Sequence, residues 1–182
     1  MLCVMMAGSM EKHKENDESA RAPKLKSAHV EMLTELYDGY YDRIYAYCVH
    51  RLFCRTAAEE VTGRIFLNAA KGIGSFNGNG QDAYVRWLYA IAVNQCNSYI
   101  RKNLRRRKLF DKFQQEYHHQ NDDLSVSDWT SVYAAIARLK EVEQTVITLR
   151  FFEKMEFEHI AAIINKRPNA VRVILHRGLK QL

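Results

Sequence analysis

The stretch FEHIAAIINKRPNAVRVILHRGLKQL, Phe157 to Leu182, decides the fold. It divides into two short helices about a tight turn, and no Asp or Glu follows Glu158, so all the late charge is positive. A helix-turn-helix needs a small residue where its helices cross, a turn residue that tolerates positive φ, and apolar residues that seat the second helix. Ala161 meets the first requirement, Asn165 the second, and Val171 with Ile174 the third. Pro168 marks the start of the second helix, because its missing N–H costs nothing in a first turn and its φ is already helical.

On a 3.6-residue wheel Val171, Ile174, Leu175, Gly178 and Leu182 share one side, while Asn169, Arg172, Val173, His176, Arg177 and Lys180 share the other. The second face carries the chemistry of a DNA reader. Arg pairs bidentately with guanine and Asn with adenine, Val173 suits a thymine methyl, and Lys180 suits a phosphate. A merely solvated basic face would explain the charge, but not the small residue, the turn residue and the proline all in register.

Composition agrees with an all-helical, nucleic-acid-binding protein. The 182 residues are 47% hydrophobic, enough to bury one large core or two small ones, with only two prolines and few alternating runs. Lys and Arg number 27 against 21 Asp and Glu, a net +6 that is clustered rather than spread and so points to a polyanionic partner. The leading MLCVMMAG is too short to span a bilayer and lacks a charged leading region, so the expectation is a cytoplasmic protein without membrane contact. Residues 1–28 are expected to form a disordered tail. The four cysteines, Cys3, Cys48, Cys54 and Cys96, contain no CxxC pair. Cys48, His50 and Cys54 point to different sides of a helix, which favours core cysteines and a surface histidine over a metal site, so neither metal nor cofactor is expected.

Between Glu31 and Phe53, Leu33, Leu36, Tyr37, Tyr40, Ile44, Tyr47 and Cys48 recur at helical spacing. Thr56 with Glu59 reads as a capping box for a second helix, whose apolar side continues through Val61, Ile65, Phe66 and Ala69 to an end near Lys71. The Gly- and Asn-rich loop GIGSFNGNGQ follows, carrying a lone Phe76, and Asp82 is placed to cap a third helix. That helix turns Val85, Leu88, Ala92, Cys96 and Tyr99 inward, sets Tyr84, Arg86, Trp87 and Tyr89 beside charge, and ends in the basic run RKNLRRRK. Cations that track phosphates and rings that stack on bases suit single-stranded DNA. Core aromatics beside a solvated basic run are the equally weighted alternative. From Leu109 to Asp128 the period is lost, which marks a linker over 109–127. Trp129, Val132, Tyr133, Ile136 and Leu139, with Ser125 or Ser127 as cap, then open a second helical domain, and Val146, Leu149 and Phe152 continue it.

With these segments laid out, the chain resembles a bacterial sigma factor of the extracytoplasmic-function type, which has regions two and four only. LYDGYYDRIYAYC, AEEVTGRIFLNA and YVRWLYAIAVNQCNSYIRK stand where that family has its core-binding and promoter-melting helices. IARLKEVEQTVITLRFFEKMEFEHIAAIIN and AVRVILHRGLKQL follow its region four. The resemblance implies region two at 29–108 and region four at 128–182, with RNA polymerase core and promoter DNA as partners and no catalytic activity. It also implies that residues 74–83 capture a flipped base of the minus-ten element through Phe76, Asn77, Gly78 and Asn79. Trp87, Asn94, Ser98 and Arg101 would join them from the melting helix, while Arg167 would join the recognition-helix face on the minus-thirty-five element. Core polymerase would meet Glu59, Glu60, Gly63 and Arg64.

The sequence departs from the family where Gly63 and Arg64 replace the usual Gln-Glu, Ala70 a Trp, Ser98 an Asp and Ile174 an Arg. Some members without the acidic pair are associated with Ser/Thr kinases. A phosphothreonine at Thr62, or at Thr56, would restore about −1.5 to −2 charge. Against this, the wheel turns Thr62 toward the apolar side as a packing residue. Control by an anti-sigma factor is the other expectation. Two rival readings remain: a helix-turn-helix regulator that does not engage polymerase, and a helical adaptor for an acidic protein.

Overall fold

The computed structural model describes residues 27–113 and 130–182, and these form helices joined by short turns, without strands. The first half is α1 (Ser27–Leu52), α2 (Arg55–Gly72) and α3 (Gln81–Phe113); the second is α4 (Thr130–Arg138), α5 (Glu141–Ile147), α6 (Phe157–Ile163) and α7 (Pro168–Leu179). The expected tail begins to fold at Ser27, so residues 27 and 28 belong to α1. The linker expected from residue 109 likewise starts later, because no Gly or Pro interrupts α3 before Phe113. Ser125, Ser127 and Trp129 lie outside the described residues.

In the first half α1 and α2 pack as a hairpin, joined by Phe53 in left-handed backbone (φ 56°) and extended Cys54. Cys54 is the N-cap of α2 and makes no side-chain cap bond, so Thr56 is a first-turn residue and the expected Thr56–Glu59 capping box does not form. The ends of the next turn also shift. Ser75 closes a 3-10 turn over Ile73–Ser75, donating its hydroxyl to Gly72 O at 2.8 Å, and Gly80 (φ 81°) accepts the first N–H bonds of α3. Asp82 therefore sits inside the first turn rather than capping it. Ile44, Tyr47, Cys48, Ala58, Ile65, Leu88, Ala92 and Cys96 form the buried centre. Tyr37 is on the rim instead, grouped with Tyr41 and Phe66, with ring centroids 4.9 and 5.0 Å from its own.

In the second half Gln144 donates to Ala137 O (3.1 Å) and Leu139 O (2.8 Å), satisfying carbonyls at the end of α4. The Glu143 carboxylate accepts the N–H of Lys140 at the start of α5 (3.0 Å). After α5 the helix widens to π spacing over Thr148–Phe152 and stops at Lys154, whose φ is 55°. The apolar core does not stop at the boundary between halves. Val146, Leu149, Met155, Ile160 and Val171 are continuous with the core of α1, α2 and α3.

Candidate nucleic-acid interface

The turn between α6 and α7 is built by its sequence. Asn165 is left-handed (φ 52°), the N–H of Lys166 reaches Ala161 O at 2.9 Å, and that of Asn165 reaches Ala162 O at 3.4 Å, which closes α6 with a Schellman turn. Arg167 is extended and Pro168 occupies the first turn of α7. Ala161 is buried at the crossing, as is Val171. Gly178 lets α7 approach α5, since a Cβ there would stand 3.0 Å from Ile147 Cδ1 and 3.4 Å from Glu143 Cβ.

This seating leaves Arg167, Asn169, Arg172, Val173, His176, Arg177 and Lys180 exposed together on α7 and its approach, with Val173 48% accessible among polar neighbours. Leu182, placed by the wheel on the packed side, is also exposed, because α7 ends at Leu179 and its period goes no further. Arg172 is held from two sides. It donates to Asn169 Oδ1 (2.9 Å) and Glu158 Oε1 (3.3 Å), and its guanidinium lies 4.9 Å from the Phe157 ring centre. Arg150 approaches the same ring at 4.8 Å while donating to Met155 O at 2.7 Å. The sequence reading missed Phe157, Glu158 and Arg150, because their link to Arg172 is tertiary.

A second surface lies on the first half. Phe76 folds back onto Tyr84 and Trp87, with centroids 4.5 and 5.0 Å away, and its ring covers Gly78, where a Cβ would meet it at 2.2 Å. Asn77 and Asn79 are exposed beside it, and Asn94, Ser98 and Arg101 are exposed along α3. The loop and the start of α3 thus form one aromatic and amide surface. Arg101, however, is engaged by Glu141 of the other half at 2.9 Å. Tyr89 belongs to neither surface: it is wholly buried and donates its hydroxyl to Glu153, so burial and that carboxylate hold it protonated. Burial raises Glu153 above the ordinary carboxylate value, against the opposing pull of Tyr89 and Arg43.

The third surface is the outer face of α2, where Glu59, Glu60, Gly63 and Arg64 are all exposed and Arg64 pairs with Glu60. Thr62 is not part of it. It lies on the buried stripe with Ala58, Val61 and Ile65 and is itself 0% exposed, the place expected of it as a packing residue, so the folded protein hides this hydroxyl in its core. Thr56 is exposed in the first turn. His50, expected on the surface, is half-buried, with its ring 4.3 Å from that of Phe152 and Nδ1 2.9 Å from the Tyr133 hydroxyl. Among the described residues no three His, Cys, Asp or Glu side chains are grouped to hold a metal, and no helix is long and apolar enough to cross a membrane.

Comparison with known proteins joins these surfaces. Residues 36–106 match the model of "Sigma-70 region 2" and residues 130–182 that of "Sigma-70, region 4". The ECF RNA polymerase sigma factor BldN of Streptomyces coelicolor is 26% identical over 176 residues, 92% of this chain and 66% of BldN. The RNA polymerase sigma factor YlaC of Bacillus subtilis is 25% identical over 167 residues, 85% of this chain and 91% of YlaC. The sigma factor RpoE of Bartonella quintana, solved with the anti-sigma factor NepR, shares the fold with a TM-score of 0.65 at 18% identity, over 83% of this chain and 94% of that one.

Proposed function

The chain belongs to the sigma-70 family of RNA polymerase sigma factors, in the extracytoplasmic-function type with regions two and four, and on that premise we propose how its surfaces divide the work. The α7 face reads the minus-thirty-five duplex. Arg172 and Arg177 contact base edges, Asn169 and Val173 contribute adenine and thymine contacts, and Arg167, His176 and Lys180 lie along phosphates. The loop with Phe76, Asn77, Gly78 and Asn79, together with Trp87, Asn94, Ser98 and Arg101, takes the melted minus-ten strand. Glu59 and Glu60 with Gly63 and Arg64 meet the polymerase core. The observation that carries this reading is the unbroken exposed row on α7 opposite a fully seated Val171 and Gly178.

Core binding is the place where control enters. Arg64 neutralises Glu60, while Glu59 makes no ion pair among the described residues. A phosphate on Thr56, in the first turn of α2, adds about −1.5 to −2 charge next to the positive helix terminus, where it also stabilises the helix. A Ser/Thr kinase or an anti-sigma factor is the corresponding partner. The same Arg64–Glu60 pair favours a second reading, a helix-turn-helix regulator that binds DNA without polymerase. Co-purification with core polymerase, with and without Thr56→Glu, separates the two: retention on core supports the sigma reading, and DNA binding without retention supports the regulator.

A further inference from the structure

We infer that Cys48 and Cys96, which face each other in the core of the first half, are a site of reversible oxidation, where a peroxide joins them in a disulfide that staples α1 to α3. The two sulfurs lie 3.8 Å apart with the Cys96 thiol donating toward Cys48, and both residues are wholly buried. They belong to different helices, Cys48 one turn before the end of α1 and Cys96 midway along α3, and both thiols are free. A disulfide holds its sulfurs about 2.05 Å apart, so bonding asks each sulfur to move by about 0.9 Å. Ordinary packing accounts for two buried cysteines, but not for the group beside them. Tyr47 is also wholly buried, and its hydroxyl has no hydrogen-bond partner among the described residues. Burial, and after it the charge that Cys96 can carry, raise the Tyr47 pKa, so the hydroxyl lies within electrostatic reach of that sulfur. A buried O–H without a partner is costly, and a peroxide oxygen between the sulfurs and Tyr47 gives it one.

The chemistry needs no group beyond the peroxide. The hydrogen bond from Cys96 lowers Cys48 below the ordinary thiol value against the burial that opposes it, and the same bond raises Cys96, so Cys48 is the sulfur that ionises first. The Cys48 thiolate attacks one peroxide oxygen and the O–O bond breaks. The departing hydroxide takes up the proton that Cys48 gave up, which leaves water and a Cys48 sulfenic acid. The Cys96 sulfur then attacks the Cys48 sulfur, the S–O bond breaks, and the Cys96 proton leaves with the hydroxide as a second water. Two thiols are oxidised to one disulfide, and one peroxide is reduced to two waters. Tyr47 donates to the departing oxygen in the first step. Burial excludes bulky oxidants, but hydrogen peroxide is little larger than water and enters when the seam between α1 and α3 opens locally. A resolving sulfur already in contact then captures the sulfenic acid before it oxidises further.

The full chain, reduced and freed of reductant, is treated with hydrogen peroxide, unfolded in iodoacetamide and cut with trypsin. Residues 44–51 and 87–101 should appear as one joined peptide, two hydrogens lighter than its parts and separated by dithiothreitol. Oxidation should also raise the melting temperature by about 5 °C or more, because the bond closes a long loop in the unfolded chain. Cys96→Ala should lose both effects, while Cys54→Ser, which removes the more accessible thiol, should keep both. Tyr47→Phe should form the same bond about fivefold more slowly. The peptide map is read on the parent chain and needs no variant to fold. Cys48 and Cys96 recovered alkylated after peroxide, joined instead to Cys3 or Cys54, or joined only when the chain is unfolded before oxidation, would overturn the site. An unchanged rate in Tyr47→Phe would overturn the part given to Tyr47.

Discussion

The guanidinium of Arg172 lies over the ring of Phe157, 4.9 Å from its centre, although the two residues sit on different helices of the helix-turn-helix. The contact narrows the positions available to a long side chain before DNA arrives, so less rotamer freedom is lost on binding. The exposed pair with Glu158 is worth at most about 1 kcal/mol, weak enough for a base edge to displace it.

Arg172→Ala should therefore weaken binding to a cognate minus-thirty-five duplex by about 1–3 kcal/mol and relax preference at one base position. Phe157→Leu should produce a smaller loss at that same position. Lys180→Ala should instead weaken all sequences alike and flatten the salt dependence by about one unit. Fluorescence anisotropy over a set of single-base variants and two salt concentrations measures both. Equal losses on every duplex for Arg172→Ala would sink the base contact.

The loop proposed to take the minus-ten strand depends on Gly78 having no side chain, because a Cβ would stand 2.2 Å from the Phe76 ring. Gly78→Ala should dislodge Phe76 from Tyr84 and Trp87 and change minus-ten preference while leaving duplex binding by α7 intact. Transcription from a library randomised at the minus-ten element reads this out, and an unaltered preference would show that the Phe76 packing is irrelevant to base selection.

Burial makes Thr62 a test of the α2 surface. Thr62→Val should fold normally and retain activity, whereas Thr62→Glu should lose several kcal/mol by placing a charge in the core. Thr56→Glu, in an exposed first turn, should leave stability nearly unchanged or slightly higher. Thermal melts of the three variants decide the matter. A stable, active Thr62→Glu would mean that this face opens in solution.

Stability should respond to acid through His50, whose pKa is lowered from 6.5 by burial beside Tyr133 and Phe152. A depressed histidine is protonated first in the unfolded chain, so its contribution is complete above pH 6.5 and is lost as pH falls from there toward the folded value. Glu153 acts the other way. Its raised pKa makes the carboxyl favour the folded protein as pH falls toward 4.5. His50→Phe, which keeps a ring against Phe152, should remove the loss of melting temperature that His50 contributes as pH falls below 6.5. An identical slope in His50→Phe would assign the effect elsewhere.

What the sequence disclosed was local. Asn165, Pro168 and the α7 stripe announce themselves because the turn and the helix period are set by neighbours a few residues apart. The placement of Thr62 was legible from the same stripe, which pairs it with Ala58 and Ile65. Cap positions were misread at Thr56 and Asp82, where Cys54 and Gly80 take the role through backbone conformation alone. Arg51 left only a faint trace, as a charge four residues after buried Tyr47 on an apolar side; its partners lie 46 to 94 residues on, beyond any periodic signal. Tyr89 was likewise drawn inward by Glu153 of the other half, a contact no helical wheel contains.

The most direct measurement is run-off transcription from genomic fragments with purified polymerase core, with and without this protein. A discrete set of transcripts should appear only when the protein is added, share a minus-thirty-five and a minus-ten element, and be lost with Arg172→Ala. Sequence-specific DNA binding by the protein with no core association and no added transcripts, even after Thr56→Glu, would contradict it.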